Sequence, residues 1–239
     1  MPAIDIIIGP AIQMAEAASL GMPFEVWKTR MGRHRTEGTV EALKNVYKSG
    51  GGIHAFWRGT SAKMVESGTK GAILMYAKEG INESLVKNDV DPGVAGVLAG
   101  AGGGIAQVSV MGPCTYLVTG AVNDPSGKSS VERIKETYAR SGVKGFYPGG
   151  TAIAFRQATN WASRQGFTEI VREKAKAGWY PDVDAKEVKM TKGQEVICGV
   201  IGGTMACWNH PCEVARIEAQ TRGSLGQETG SMVSVMKDI

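Results

Sequence analysis

Two stretches of this chain carry charge where its hydropathy pattern places long helices: Lys63, Glu66 and Lys70 within residues 60–85, and Arg156 and Arg164 within residues 150–175. Glu66, Lys70 and Leu74 follow one another at i, i+4 and i+8, as do Arg156, Asn160 and Arg164, so each set lies along one helix face. Arginine holds a carboxylate through two parallel hydrogen bonds, and lysine adds a mobile positive charge. Two arginines and a lysine around one acid suit a polycarboxylate anion. A nucleotide would more often call for an aromatic contact, and an amino acid for an acidic partner beside the arginine. Two roles stay open for Glu66: neutralising Lys70 in the empty site, or carrying a proton with the substrate.

Enzymatic chemistry is poorly served. SGKSS at residues 126–130 ends like a phosphate-binding loop, but Val122 stands where such a loop needs its first glycine. GAGGG at residues 100–104 lacks dinucleotide-binding spacing. His34, His54 and His210 are scattered, and Cys114, Cys198, Cys207 and Cys212 form no CxxC pair, so the thiols read as reduced and packed as small hydrophobes. No metal, cofactor or catalytic group is expected. The 239 residues are 43% hydrophobic, which excludes disorder, and a formal charge of +4 favours anionic partners only weakly. The first 25 residues contain Asp5 and Glu16 and no Lys or Arg, which matches neither a secretory signal nor an Arg-rich transit peptide.

The elements that must position these charges begin with three nearly uncharged stretches. Residues 93–123 and 196–212 contain no Asp, Glu, Lys or Arg, and residues 6–24 contain only Glu16. The first of these exceeds the roughly 20 apolar residues of a membrane span, and its glycines at 96, 100 and 104 clear one helix face for a neighbour. Gly199, Gly202 and Gly203 are arranged similarly. Near the end of each stretch stands a proline: Pro23, Pro113 and Pro211. Counted from those prolines, Gly52 and Gly142 coincide, as do Phe56 and Phe146, Gly59 and Gly149, Glu66 and Arg156, Ala72 and Ala162, and Glu79 and Glu169. Such agreement without a gap signals an internal repeat. Between the proline and the long polar helix, Val40–Tyr47 and Val131–Tyr138 show helical apolar spacing, as for helices lying at an interface. Taken singly, the charged helices would suit a soluble protein; in lipid their charges must face a cavity.

PFEVWK at residues 23–28 and PCEVAR at residues 211–216 resemble the Px[DE]xx[KR] motif of mitochondrial carriers, and the FWRG turn at residues 56–59 strengthens the likeness. More narrowly, ESGTKGA (66–72), RQATNWASR (156–164) and WNHPCEVARIEAQ (208–220) are similar to the fungal-type citrate/oxoglutarate carriers. The resemblance implies an all-α membrane protein of three tandem repeats, each with two tilted membrane helices and a short matrix helix, around a cavity open alternately to either side. The repeats would span residues 1–88, 89–186 and 187–239. The third reads as incomplete, because Ile239 comes 28 residues after Pro211, and the chain reads as part of a longer product whose sixth helix lies further on.

The likeness also assigns roles. Prolines 23, 113 and 211 would kink the odd-numbered helices, and the acid of one repeat would bond the base of the next to close the matrix side. PCTYLV in the second repeat departs from that pattern: Thr115 replaces the acid and Val118 the base. Of the three inter-repeat pairs only Glu213 with Lys28 remains, Glu25 and Arg216 are left to neighbours three residues along, Gln220 would brace Arg216, and Tyr116 would partly fill the gate. On the cytoplasmic side Glu79, Glu169 and Arg172 would form the second gate, with Asn82 in place of a base. Substrate contacts map onto Glu66 and the Arg156–Gln157 pair, with Lys70, Leu74, Asn160 and Arg164 alongside. The implied function is exchange of citrate- and oxoglutarate-type anions across the mitochondrial inner membrane by a monomer, with bilayer lipid and cardiolipin as further partners. A second reading ranks below it: attachment to mitochondrial DNA through KTRMGRHR, residues 28–35.

Overall fold

The computed structural model describes residues 3–124, 126–180 and 190–238, and these form helices and turns with no strand among them. Helix α1 (Ala3–Glu16) runs through a π turn, Ala17–Gly21, into α2 (Met22–Arg33). The short α3 (Thr39–Lys48) and a 3₁₀ turn lead to α4 (Thr60–Lys87). The order then recurs: α5 (Pro92–Ala106) and α6 (Val108–Asn123) form one broken helix, α7 (Ser130–Ser141) is short, and α8 (Gly150–Trp179) is long. α9 (Lys192–Met205), α10 (His210–Ser224) and the short α11 (Met232–Lys237) begin a third round. The expected boundary at residues 186/187 lies outside the described residues.

Helix starts follow the local sequence. Asp91 caps α5 through hydrogen bonds from the Gly93 and Val94 amides, with Pro92 in the first turn, and Ser129 with Glu132 and Thr191 with Gln194 form reciprocal caps on α7 and α9.

An irregular turn lies ahead of the proline in each of these helices. Pro23 follows the π turn, Pro211 follows a 3₁₀ turn at Ala206–Asn209, and the α5/α6 break, ahead of Pro113, bends that helix by 45°. Proline lacks an N–H, so a carbonyl one turn back loses its partner. Both complete repeats repair this in one way: Tyr147 Oη donates to the Ser109 carbonyl at 2.7 Å, and Trp57 Nε1 donates to the Ala18 carbonyl at 2.8 Å. Trp57 and Tyr147 are equivalent repeat positions. The acceptor lies four residues before Pro113 but five before Pro23, as the wider π turn requires. Tyr147→Phe therefore strands a carbonyl at about 1–3 kcal/mol, and should lower the unfolding temperature of the purified protein by several degrees. An unchanged transition would refute this role.

The glycine stripe holds in part. Gly96, Gly199 and Gly203 face open space. Gly104, where a Cβ would lie 2.9 Å from the Gln157 carbonyl oxygen of α8, and Gly202, against Thr168 of α8, make the expected close approaches, and Gly103, outside the stripe, adds a third at 3.0 Å from the Leu74 carbonyl oxygen of α4. Backbone contact thus joins odd to even helices.

No single helix among the described residues is long and apolar enough to cross a membrane; the bent pair of α5 and α6 is, by length and composition. The distribution of polarity is inverted relative to a water-soluble bundle. Leu20, Tyr76, Val196 and Val200 are exposed, whereas Glu66, Glu213 and Arg216 are at most 3% exposed. On α7, Val131, Ile134 and Tyr138 face outward while Arg133 and Thr137 are buried, so its apolar stripe points away from the protein, as suits a helix lying against lipid. Cys114, Cys198 and Cys212 are buried, but Cys207 is exposed, at variance with the packed thiol expected there.

Candidate functional site

At one end of the bundle α2, α6 and α10 converge through three different seams. Between α2 and α10 the seam is ionic. Arg216 donates from Nε and Nη2 to the two oxygens of Glu213 at 2.9 and 2.7 Å, and Lys28 reaches Glu213 at 3.2 Å and Glu25 at 2.9 Å. Between α10 and α6 it is neutral. Gln220 accepts from Arg216 Nη1 at 2.7 Å and from Thr119 Oγ1 at 3.0 Å, and donates to Thr115 Oγ1 at 2.8 Å. An amide-to-hydroxyl bridge stands at Thr115, where an acid would have met Arg216. Between α2 and α6 the seam is apolar, with Met22 and Val26 packed in one cluster with Leu117 and Val118.

The turns after the short helices dock onto these seams. Gly59, at φ +85°, would bring a Cβ within 3.1 Å of Val118 Cα, and the equivalent Gly149, at φ +70°, within 3.5 Å of Arg216 Cα. Such backbone angles favour glycine. Tyr116 belongs to that apolar cluster with Met22, Val26, Leu117 and Val118, and its hydroxyl lies 3.5 Å from the Gly223 carbonyl of α10. It is fully buried against Phe146, and its hydroxyl lies 3.0 Å from Thr137 Oγ1, because the residue after Thr115 turns away from the helix face that carries Thr115 and Thr119.

Against these seams sits a cavity of ≈230 Å³ lined by side chains of α2, α4, α6, α8 and α10 together with Gln107 at the α5/α6 break. That is just below the roughly 300–1,000 Å³ of drug-sized sites, and suits a small metabolite. Its described lining holds five cations, Lys28, Lys63, Lys70, Arg156 and Arg216, against three carboxylates, Glu25, Glu66 and Glu213, a surplus of two positive charges (5 − 3). Glu66 is buried, with Lys63 at 3.3 Å and Lys70 at 4.0 Å. Arg156 Nε lies 3.4 Å from Glu213, close enough for an ion pair but without hydrogen-bond geometry.

Gln157 is buried and donates to Gln107 Oε1 at 3.2 Å, while Gln107 donates to the Lys70 carbonyl at 2.9 Å. Asn160 and Trp161 complete this wall. Sequence reasoning missed Gln107, Trp161 and the part played by Lys63. The available signal for Gln107 was a single glutamine within a long uncharged, largely apolar segment.

Leu74 is a correction. It does not line the cavity but packs against Gly103 of α5. Each i+4 step over-rotates by about 40°, so two steps from Glu66 carry a side chain about 80° off the starting face. The side chains of Arg164 and Glu169 lie outside the described residues. Glu79 is exposed on α4 and makes no ion pair among the described residues, and Arg172 is partly buried on α8. Among the described residues no group of His, Cys, Asp and Glu is placed to hold a metal ion.

The basic run at residues 28–35 is largely spent within the protein. Arg30 donates to both oxygens of Glu37 at 2.8 and 2.6 Å and holds that carboxyl below its usual pKa range, Arg33 pairs with Glu218, and Lys28 belongs to the gate. Burial, and then the charge of Arg30, lowers the pKa of His34, which keeps it neutral near pH 7. The DNA-binding reading therefore finds no free basic patch in these four side chains.

Comparison with known proteins agrees with this geometry. A family model described as mitochondrial carrier protein matches residues 2–89 and again 90–177. The citrate/oxoglutarate carrier protein of Saccharomyces cerevisiae is 30% identical over 227 residues, which cover 91% of this chain and 71% of that protein. Mitochondrial citrate transporter B of Aspergillus niger is 27% identical over 73% of this chain and 63% of its own length, and the tricarboxylate transport protein of Saccharomyces cerevisiae 23% over 88% and 75%. With two tandem matches to the family model, proline-broken helices in repeating order and an ion-pair cluster beside a charged cavity, the chain belongs to the mitochondrial carrier family, the transporters of the inner mitochondrial membrane.

Proposed function

We propose that this carrier exchanges citrate- and oxoglutarate-type carboxylates, that the repeats at residues 1–88, 89–186 and 187–239 alternate the cavity between the two sides, and that Glu66, Lys70, Arg156, Gln157, Asn160 and Arg164 form its binding face. The observation that carries the reading is the surplus of two positive charges around a metabolite-sized cavity. A dicarboxylate dianion neutralises that surplus. The bidentate capacity of Arg156 and the point charge of Lys70, on facing helices, would hold its two ends. Glu25, Lys28, Glu213, Arg216 and Gln220 would close the matrix side, and Glu79, Glu169 and Arg172 the cytoplasmic side. The names of the three relatives favour the same substrates.

Lys70→Ala tests the division of labour among the cations. In liposomes holding the full-length protein, uptake of labelled citrate should fall several-fold more than uptake of labelled 2-oxoglutarate, because the additional carboxylate needs the additional cation. Equal losses would contradict that assignment.

A further inference from the structure

Glu25 should have faced a base at position 118, but Val118 is apolar and packed against the Gly59 turn. The structure shows which cation has taken its place. Lys63, on the first turn of α4, lies 3.5 Å from Glu25 of α2 and 3.3 Å from both carboxylate oxygens of Glu66, and its side chain is only 16% exposed. One buried ammonium therefore joins an acid of the gate to an acid of the binding face. Glu25 lines the cavity floor and keeps Lys28 as its other partner, at 2.9 Å, while Lys28 is itself shared with Glu213. Without Lys63, Glu25 would depend on one half-exposed lysine already shared with Glu213, and Glu66 would keep Lys70 at 4.0 Å. A buried carboxylate left short of cations is costly, so the position of this one ammonium should govern both gate and site.

We propose that Lys63 is the positioning residue that couples occupancy of the binding face to closure of the matrix gate, replacing the base absent from the second repeat. When a carboxylate of the substrate reaches Lys63 and Lys70, it competes with Glu25 for the Lys63 ammonium, and the α2–α4 bridge loosens as the site fills. When the site empties, Lys63 returns to Glu25 and the gate closes. The cation is exchanged between oxygens, and no bond is made or broken. The inference rests on the carboxylate reading above for the identity of the competing anion, whereas the bridge itself rests on the contacts of Lys63 with Glu25 and Glu66.

The test uses the full-length protein in liposomes, with Lys63→Gln, Lys63→Arg, Glu25→Gln and the double variant Lys63→Gln/Glu25→Gln. Lys63→Gln should lower the maximal exchange rate at least tenfold, by a larger factor than it raises KM, since the ammonium meets the substrate and also acts on the transition between states. Lys63→Arg, which keeps the charge, should recover most of the rate; a merely structural lysine would not show this split. The double variant should be no slower than the slower single one, because both remove the same bridge. Multiplicative losses, or a raised KM at unchanged maximal rate, would overturn the proposal. If the unsubstituted protein moves neither carboxylate, the transport reading fails, and the bridge is then judged by the same double-mutant cycle on unfolding temperature, where additivity would remove it. Should Lys63→Gln fail to fold, Glu25→Gln with Lys63→Arg decides: Lys63→Arg must retain exchange, and Glu25→Gln must slow it without raising KM.

Discussion

Arg156→Ala should abolish nearly all exchange, by about 100-fold, and Arg156→Lys by about 10-fold, with protein yield little changed. The argument is geometric. Arg156 shares the cavity wall with Gln157 and Asn160, and its main-chain carbonyl is held by Asn209 Nδ2 at 3.2 Å, which fixes the helix backbone from which the guanidinium extends. Nε is buried 3.4 Å from Glu213 without a hydrogen bond, whereas the side chain as a whole is 27% exposed and lines the cavity, so the guanidinium is within reach of an incoming carboxylate. Charge-assisted hydrogen bonds contribute about 1.5–3 kcal/mol, which corresponds to roughly 10- to 100-fold in rate. Lysine keeps the charge but presents a point instead of a planar fork. Undiminished uptake in Arg156→Ala would remove the site.

Glu213→Gln should be the most damaging neutral substitution in the gate. Glu213 is 3% exposed and stands among Arg216 at 2.7 Å, Lys28 at 3.2 Å and Arg156 at 3.4 Å, so its loss leaves three cations facing one another. Removing one partner of a buried network costs about 3–5 kcal/mol, whereas Lys28 has a half-exposed side chain and a second carboxylate, Glu25, to hold it. Lys28→Gln should therefore lose much less stability, and the double variant should show clear coupling. Charge reversal is the weaker design, because Glu213→Lys would set a fourth cation among Arg156, Arg216 and Lys28. Equal losses for the two single variants, or additivity in the cycle, would refute the central place given to Glu213.

The recurring helices were legible in the sequence because their signals are local: a 3.6-residue period, a proline, and a glycine whose left-handed backbone ends each FWRG- or FYPG-type turn. The gate was only half legible. Motif spacing gives the residues facing the axis, but it cannot show that Lys63 reaches Glu25 from another helix, or that Gln220 reaches Thr115. Those contacts depend on tertiary placement, and they fill the two gaps that PCTYLV leaves in the ionic ring. Leu74 was misplaced for a different reason, the angular drift of repeated i+4 steps. Tyr116 points about 100° away from its neighbour Thr115, so it fills the apolar seam and not the polar one.

The central claim is that the surplus of two cations in this cavity serves obligatory exchange of small polycarboxylates. It is tested most directly by uptake of labelled citrate into liposomes containing the full-length protein, loaded in parallel with 2-oxoglutarate, with ATP or with buffer alone. Uptake should be rapid against internal 2-oxoglutarate and near background against ATP or buffer. Equal uptake in all three preparations, or faster uptake against ATP, would contradict it.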